Sequence, residues 1–267
     1  MSKIILFIPC YNCENQIVRV IKQLENNDNY KYFSEILLID NRSLDNTVEN
    51  SISRLKKSNI DNVKVLKNSQ NLGLGGTHKV AFRYAKENNA THVAVLHGDD
   101  QGDIEDLIKL LTNSEYNNYD CCLGSRFHHK SRLKGYSKFR IVGNWVFNSI
   151  FSICSGKLIT DLGSGLNLYK VTSIENDRIT RFSNDLTFNC YMILFSVSQH
   201  HKIKFFDITW KEEDQISNVK LLLQAKKTLK LALGFLFNRE KSLVCKNNTI
   251  DFSSVYFDEL YKSEKNS

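Results

Sequence analysis

The chain has 267 residues, of which 42% are apolar and 24% charged, with one proline and a formal net charge of +7 at pH 7. This length and apolar content suit one large α/β domain or two small ones and exclude a disordered chain, and no run reaches the roughly 18 uninterrupted apolar residues of a membrane span. The positive charge points to an anionic partner, but nucleic acid is set aside because no helix-turn-helix, zinc-finger or aromatic RNA-binding signature occurs.

From the N-terminus the chain alternates strand and helix. Ile4 to Ile8 reads as a strand, about Glu14 to Leu24 as an amphipathic helix, and Glu35 to Asp40 as a second strand. Next come a helix from about Asn46 to Lys57, the strand Val63 to Lys67, a helix from about Gly75 to Asn88 and the strand Val93 to Leu96. That rhythm predicts a mostly parallel sheet covered on both faces, which binds ligands at the carboxyl ends of its strands. The opening apolar run is too short for a signal peptide, and seven cysteines without an export signal fit reduced thiols in a cytoplasm. Cys10 and Cys13 form a Cys-x-x-Cys, but no second pair stands at zinc-site spacing.

The stretch from Thr91 to Asp106 carries the most chemistry. A β-branched strand runs into acids, so Asp99 and Gln101, with His97 two positions earlier, offer a donor set for Mg2+ or Mn2+ against a diphosphate. Asp103 is placed to cap a helix starting at Ile104, with Asp106 adding charge to its first turn.

Three loops share that edge. In Pro9-Cys-Tyr-Asn12 the proline ends a strand, so that Tyr11 presents a flat ring and Asn12 an amide. Asp40 leaves a buried strand able to accept hydrogen bonds from a base or ribose, while Asp45 is open to a reading as helix N-cap. Asn71-Leu-Gly-Leu-Gly-Gly-Thr77 gathers glycines, among them Gly73 and Gly75, that allow close approach to a phosphate or sugar at a helix N-terminus. This is not a dinucleotide fingerprint, because His78 occupies the last glycine position of the Gly-x-Gly-x-x-Gly frame.

In this order, Ile-Pro-Cys-Tyr-Asn, Leu-Ile-Asp-Asn-Arg-Ser-Leu-Asp-Asn-Thr, Asn-Leu-Gly-Leu-Gly-Gly, Leu-His-Gly-Asp-Asp-Gln, Leu-Gly-Ser-Arg-Phe and Ile-Thr-Asp-Leu-Gly-Ser-Gly-Leu-Asn-Leu-Tyr form a specific set. Over roughly residues 3 to 210 the chain resembles the inverting nucleotide-sugar glycosyltransferases of the GT-A superfamily, in particular the dolichyl-phosphate mannosyltransferase and polyprenyl-phosphate glycosyltransferase branch. The resemblance implies a GT-A fold, Rossmann-like, with a glycosyltransferase domain over 1–215 (nucleotide-binding half 1–115, acceptor half 116–215) and a C-terminal helix and tail over 216–267. It implies that Pro9, Tyr11 and Asp40 hold the nucleoside beside Asn12, and that Asp99 and Gln101 hold a Mn2+ or Mg2+ ion on the diphosphate. Arg126 matches an arginine suited to phosphate or developing negative charge. Arg140 reads equally as facing an acceptor phosphate or as a solvated helix residue. Asp161 falls where the family lines the sugar and acceptor pocket, and Asp185 is either a general base or the cap of a helix from Leu186 to about Val197.

Two positions depart from the family pattern, Asn41 in place of a second acid and His97 in place of the first acid of the metal motif. These departures motivate an alternative, a catalytically weak nucleotide-sugar-binding subunit; a nucleotidyltransferase is disfavoured because Pro9 to Glu14 carries no Lys or Arg. From Ser217 to Phe237, Leu222, Ala225, Leu229, Ala232, Leu233 and Leu236 recur at helical spacing beside Lys220, Lys226, Lys227 and Lys230. That helix either packs on the domain or lies on an anionic membrane surface, making the protein cytoplasmic or peripheral at the inner face. The expected partners are a nucleoside-diphosphate sugar donor and a lipid-phosphate or glycan-hydroxyl acceptor.

Overall fold

A computed structural model describes residues 2–214, 221–245, 250, 252 and 254–263. The strand β1 (Ile4–Cys10) is buried along its whole length, because its apolar side chains alternate between two covered faces. Ile5 and Phe7 enter one core and Leu6 and Ile8 the other. Each such side chain contributes about 1.5–3 kcal/mol on burial.

The chain continues through α1 (Gln16–Glu25), β2 (Glu35–Asp40), α2 (Thr47–Leu55), β3 (Val63–Asn68), α3 (Gly73–Glu87), β4 (His92–Leu96) and α4 (Ile104–Thr112). These match the expected alternation within a few residues. The second half adds β5 (Cys121–Ser125), β6 (Arg132–Lys134), α5 (Lys138–Ser155), β7 (Leu166–Lys170), α6 (Val171–Ile174), α7 (Phe188–Ser198), β8 (Ile203–Asp207) and β9 (Thr209–Lys211). Last come α8 (Leu221–Phe237), α9 (Arg239–Ser242) and β10 (Phe257–Lys262).

The main sheet has eight strands in the order β10-β3-β2-β1-β4-β7-β5-β8, and β6 pairs with β9 beside it. β1, β2, β3 and β4 are parallel to one another, as β5 is to β8, whereas β7 runs antiparallel between β4 and β5. Cys10, Asp40, Leu96, Ser125 and Asp207 therefore end their strands at one edge. Side chains of α3, α7 and α8 fill one face, and those of α1 and α4 the other.

The tail, whose order the sequence left open, contributes β10, which pairs antiparallel with β3 and extends the sheet. In α8, Thr228, Leu231, Ala232 and Phe235 are buried, whereas Leu222, Leu229, Leu233 and Leu236 of the expected apolar stripe are exposed. The helix is apolar on more than one face, so spacing alone picked the outward one. The expected start at Ser217 and the cation Lys220 lie outside the described residues.

Candidate active site

The loops after β1, β2 and β4 are stitched together by their backbones. Asn41 N–H donates to the Cys10 carbonyl (2.8 Å) and Gly98 N–H to the Pro9 carbonyl (3.1 Å). Asn12, in the left-handed region at φ 50, accepts from Leu44 N–H (2.8 Å) and donates its own N–H to Ser43 Oγ (3.0 Å). Its amide oxygen thus holds the second loop in place, and Tyr11 beside it stands 45% exposed at the open edge.

Asp40 is fully buried and accepts from the N–H groups of Arg42 and Ser43, which closes the turn that carries the second loop. Asn41 bonds Asn71, Asn68 and the Leu72 N–H. It is a knot joining the ends of β2 and β3 to the start of α3. Asp45 accepts from Thr47 N–H (3.1 Å) and from Glu14 N–H (3.1 Å), so it ties the start of α2 to the first loop, while the N-cap position itself falls on Asn46.

The glycine loop differs from the expected phosphate cradle. A Cβ at Gly75 would stand 2.5 Å from the Ser183 carbonyl and 2.6 Å from Phe188 Cβ, and one at Gly73 would strike the Asn184 carbonyl. Gly75 N–H donates to that same Asn184 carbonyl (2.9 Å). The close approach these glycines permit is to segment 183–188 of the protein itself, with Gly73 also adopting φ 70. Buried Lys79 strengthens this seam, donating to the Thr180 and Phe182 carbonyls and to Asn184 Oδ1 (2.6 Å).

At the end of β4, Asp100 adopts a left-handed conformation (φ 58) and turns inward, where Arg19 Nε and Gln23 Nε2 each donate to it at 2.6 Å. Asp99 accepts from Gln101 N–H (3.2 Å), and burial pushes its carboxyl up to about 6. His97 packs edge-on to His78 and against Gly165, where a Cβ would stand 2.5 Å from the ring. Burial, and then the charge of Arg126, bring His97 down to about 4, so its ring is neutral at neutral pH, and its buried Nε2 has no partner among the described residues. A neutral imidazole nitrogen in want of a partner and a carboxylate held in a low dielectric fit a divalent cation, with the Gln101 amide beside them. Asp103 caps α4 through Glu105 N–H (3.0 Å), as expected, and Asp106 accepts from Thr209 N–H at 2.6 Å.

Arg126, the residue after β5, forms a two-pronged pair with Asp161, Nε to Oδ2 at 2.8 Å and Nη2 to Oδ1 at 2.7 Å. Asp161 also takes the N–H groups of Arg126 and Gly163. Rather than facing an open sugar pocket, Asp161 is spent on holding Arg126. The guanidinium also donates to the Gly163 carbonyl and to Tyr136 Oη, which leaves one Nη1 hydrogen unused among the described residues. It lies 5.2 Å from the Trp210 ring. Although burial opposes charge here, Asp161 prevails and keeps the guanidinium protonated.

Tyr136 joins a second arginine to the first. Arg140, near the start of α5, stacks 4.8 Å over the Tyr136 ring and donates to both oxygens of Glu212 (2.5 and 2.7 Å), while Asn144 donates to Tyr136 Oη. Arg140 is thus a paired residue at the edge rather than a free solvated one.

Asp185 accepts from Thr187 N–H (2.9 Å), from the hydroxyls of Ser183 and Thr187, and from Lys227 Nζ (2.6 Å). Burial raises its carboxyl, but Lys227 and Thr187 outweigh it and hold the group down at about 2. The arrangement is that of an ion pair and a turn leading into α7, whose N-cap position is Thr187 rather than Asp185, and a carboxyl so acidic is a weak base.

Tyr136, Glu212 and Trp210, which frame the arginines, carried no signal in the sequence. Lys227 was visible only as one of several lysines on α8.

The match to the glycosyl transferase family 2 model extends over residues 5–177. The chain belongs to that family. It is 27% identical, over 64% of its length and 71% of the relative's, to a UDP-N-acetylglucosamine–dolichyl-phosphate N-acetylglucosaminyltransferase of Methanococcus voltae. It is 23% identical to the dolichyl-phosphate beta-glucosyltransferase of Saccharomyces cerevisiae, over 78% of the chain and 66% of the relative. With the poly(ribitol-phosphate) beta-glucosyltransferase of Bacillus spizizenii it shares 25% identity over 97% of the chain but only 44% of that protein. The chain thus spans about two thirds or less of the length of several curated relatives, 65% in the case of an uncharacterized protein of Methanocaldococcus jannaschii. Among solved structures, glucosyl-3-phosphoglycerate synthase from Mycobacterium tuberculosis, in complex with Mn2+, UDP-glucose and phosphoglyceric acid, superposes with a TM-score of 0.64 at 11% identity, covering 99% of this chain and 88% of that one. S. aureus TarS 1–349 gives 0.56 at 17% identity, covering 90% and 73%. The fold of this family 2 glycosyltransferase is GT-A.

Proposed function

We propose that this glycosyltransferase moves a sugar from a nucleoside diphosphate to the phosphate of a polyprenyl-type lipid, with inversion at the anomeric carbon, at an anionic membrane surface. The observation that carries this reading is the state of Asp185. A hydroxyl acceptor gains 10²- to 10⁴-fold from a positioned base, whereas a lipid phosphate brings an oxygen that is already ionised. A carboxyl held at about 2 by Lys227 and Thr187 suits the second case.

The surface supports the same choice. On α5, Phe139 (79% exposed), Val142, Trp145, Val146 and Ile153 face outward, and on the neighbouring α8 so do Leu222, Leu233 and Leu236. Lys226 and Lys230 are exposed on α8 as well. Apolar side chains flanked by cations suit the interface of an anionic bilayer. Among the described residues no helix is long and apolar enough to cross a membrane. Two relatives are named for transfer to dolichyl phosphate.

Tyr11 stacks on the base, Asp40, buried and spent on the Arg42 and Ser43 N–H groups, shapes the loop that meets the nucleoside rather than touching it, and His97, Asp99 and Gln101 hold a divalent cation, with Mn2+ favoured by the imidazole. That cation, when bound, supplies positive charge to the diphosphate. Arg126, fixed by Asp161 and the Tyr136 and Trp210 rings, directs its remaining Nη1 hydrogen toward the charge that develops as the anomeric C–O bond breaks and its electron pair stays on the β-phosphate. Arg140, stacked on Tyr136, steers the acceptor phosphate to the opposite face of the sugar.

The test is a donor screen with purified protein and Mn2+, read as release of nucleoside diphosphate. The expected result is release that requires polyprenyl phosphate in vesicles. Release driven equally well by soluble glycans would overturn the acceptor assignment, and donor binding without turnover under any acceptor or metal would favour a binding subunit.

A further inference from the structure

The loop between β5 and β6 holds a second set of donors that the transfer reaction does not use. His128 Nδ1 donates to Asp207 Oδ1 at 2.7 Å, and the N–H of Lys130 reaches the same oxygen at 2.8 Å. His129 lies alongside, its ring centroid 4.6 Å from that of His128. One ligating atom from each of His128, His129 and Asp207 falls within 4.8 Å of the others. His128 and Asp207 are each about one-third exposed, so water and ions reach them.

The frame around these groups is rigid. Ser125 and Asp207 are paired across β5 and β8. Ser131 Oγ donates to the Ser125 carbonyl (2.5 Å) and accepts from Ile208 N–H (3.3 Å), and Arg132 N–H donates to the Ile208 carbonyl. The loop is thus pinned at its far end to the strand that carries the acid, which leaves little backbone freedom to be lost on binding a ligand.

We propose that His128, His129 and Asp207 bind a transition-metal cation of the Zn2+ class, separate from the ion of the donor site. Two imidazoles and one carboxylate favour Zn2+, Ni2+ or Cu2+ over Mg2+ or Ca2+. A tetrahedral cation with bonds of about 2.1 Å needs ligand atoms about 3.4 Å apart. Exposed His129 supplies that closure by side-chain rotation, and the proton of His128 Nδ1 passes to water as the cation takes its place. Water completes the coordination. The site is distinct from the one at the end of β4, because β8 lies three strands away in the sheet, about 14 Å at the usual strand spacing. Its effect is to clip the β5–β6 loop to β8, just beyond Arg126.

The test uses untagged full-length protein titrated with ZnCl2, with bound metal counted after gel filtration and melting temperature read in parallel. One tight equivalent and a rise in melting temperature are expected. His129→Ala, an exposed position whose metal-free melting temperature should match the parent, should weaken this binding at least tenfold and abolish the thermal shift. His128→Ala should do the same, and Asp99→Ala should retain both. No tight equivalent in the parent protein, binding that survives His128→Ala and His129→Ala, or binding lost in Asp99→Ala would overturn the proposal.

Discussion

Lys227 Nζ lies 2.6 Å from Asp185 Oδ2, so the C-terminal helix α8 pairs with the acid that the sequence offers as a candidate general base. Both side chains remain more than a third exposed, and solvent limits the stabilisation from such a pair to about 1 kcal/mol or less. Its consequence is chemical rather than structural, because it helps keep the carboxyl ionised and weakly basic.

Asp185→Asn should therefore cost less than about tenfold in kcat with polyprenyl phosphate as acceptor. The amide oxygen can still accept from Thr187 N–H, which separates chemistry from the stability of the turn before α7. Steady-state kinetics check this, and a hundredfold loss with a lipid-phosphate product would show that the carboxylate acts in the step.

Asp99→Ala should reduce transfer more than tenfold, a loss above about 1.4 kcal/mol of transition-state stabilisation, with the fold retained. Asp100→Ala, by contrast, removes the anchor of Arg19 and Gln23 and should lower the melting temperature. His97→Asp should shift the metal preference from Mn2+ toward Mg2+, and an unchanged ratio of rates with the two metals would remove His97 from the ligand set.

Acid stability should carry the mark of His78. Its Nδ1–H donates to the Leu74 carbonyl, Phe7, Phe82 and Phe188 surround the ring, and burial pushes it down to about 3. The unfolded chain takes up a proton below about pH 6.5 that the folded chain refuses, so stability falls as pH drops from about 6.5 toward 3, by up to about 1.4 kcal/mol per pH unit for this group. His92, lowered to about 4 by burial, adds to the same slope down to its own value. Denaturant melts at pH 7 and pH 5 should show the loss, and His78→Phe should reduce it while the shares of His92 and His97 remain; an unchanged slope would mean that His78 is protonated in the fold.

Membrane association should reside on α5 and α8 together. Phe139→Ser with Trp145→Ser, or Lys226→Glu with Lys230→Glu, should each abolish sedimentation with anionic liposomes, since each basic residue contributes on the order of 1 kcal/mol near such a surface. Lys227 is left unchanged because it also serves Asp185. Parent protein that stays in solution with liposomes at low salt would contradict this assignment.

The first half of the fold was legible because its strands are continuous apolar runs and its helices amphipathic, two patterns that differ in period. The second half was not. β7 and β10 run antiparallel and draw on distant sequence, and α5 is apolar on faces that pack and faces that do not, so periodicity carried little information. At the site, the motif positions Asp40, His97, Asp99 and Arg126 could be found by type and spacing, but their partners could not. That Asp100 meets Arg19 and Gln23 while Asp99 stays with the Gln101 N–H depends on one left-handed residue, and that Gly73 and Gly75 receive segment 183–188 rather than a ligand depends on a contact more than a hundred residues away.

A comparison of polyprenyl phosphate with the dephosphorylated polyprenol as acceptors in the same vesicles separates transfer to a lipid phosphate without a protein base from transfer to a hydroxyl. Labelled sugar extracted into organic solvent gives the rate, and NMR of the product gives the anomeric configuration. Product is expected from the phosphate alone, with the anomeric configuration inverted relative to the donor. Comparable rates with the polyprenol, or retention of configuration, would contradict it.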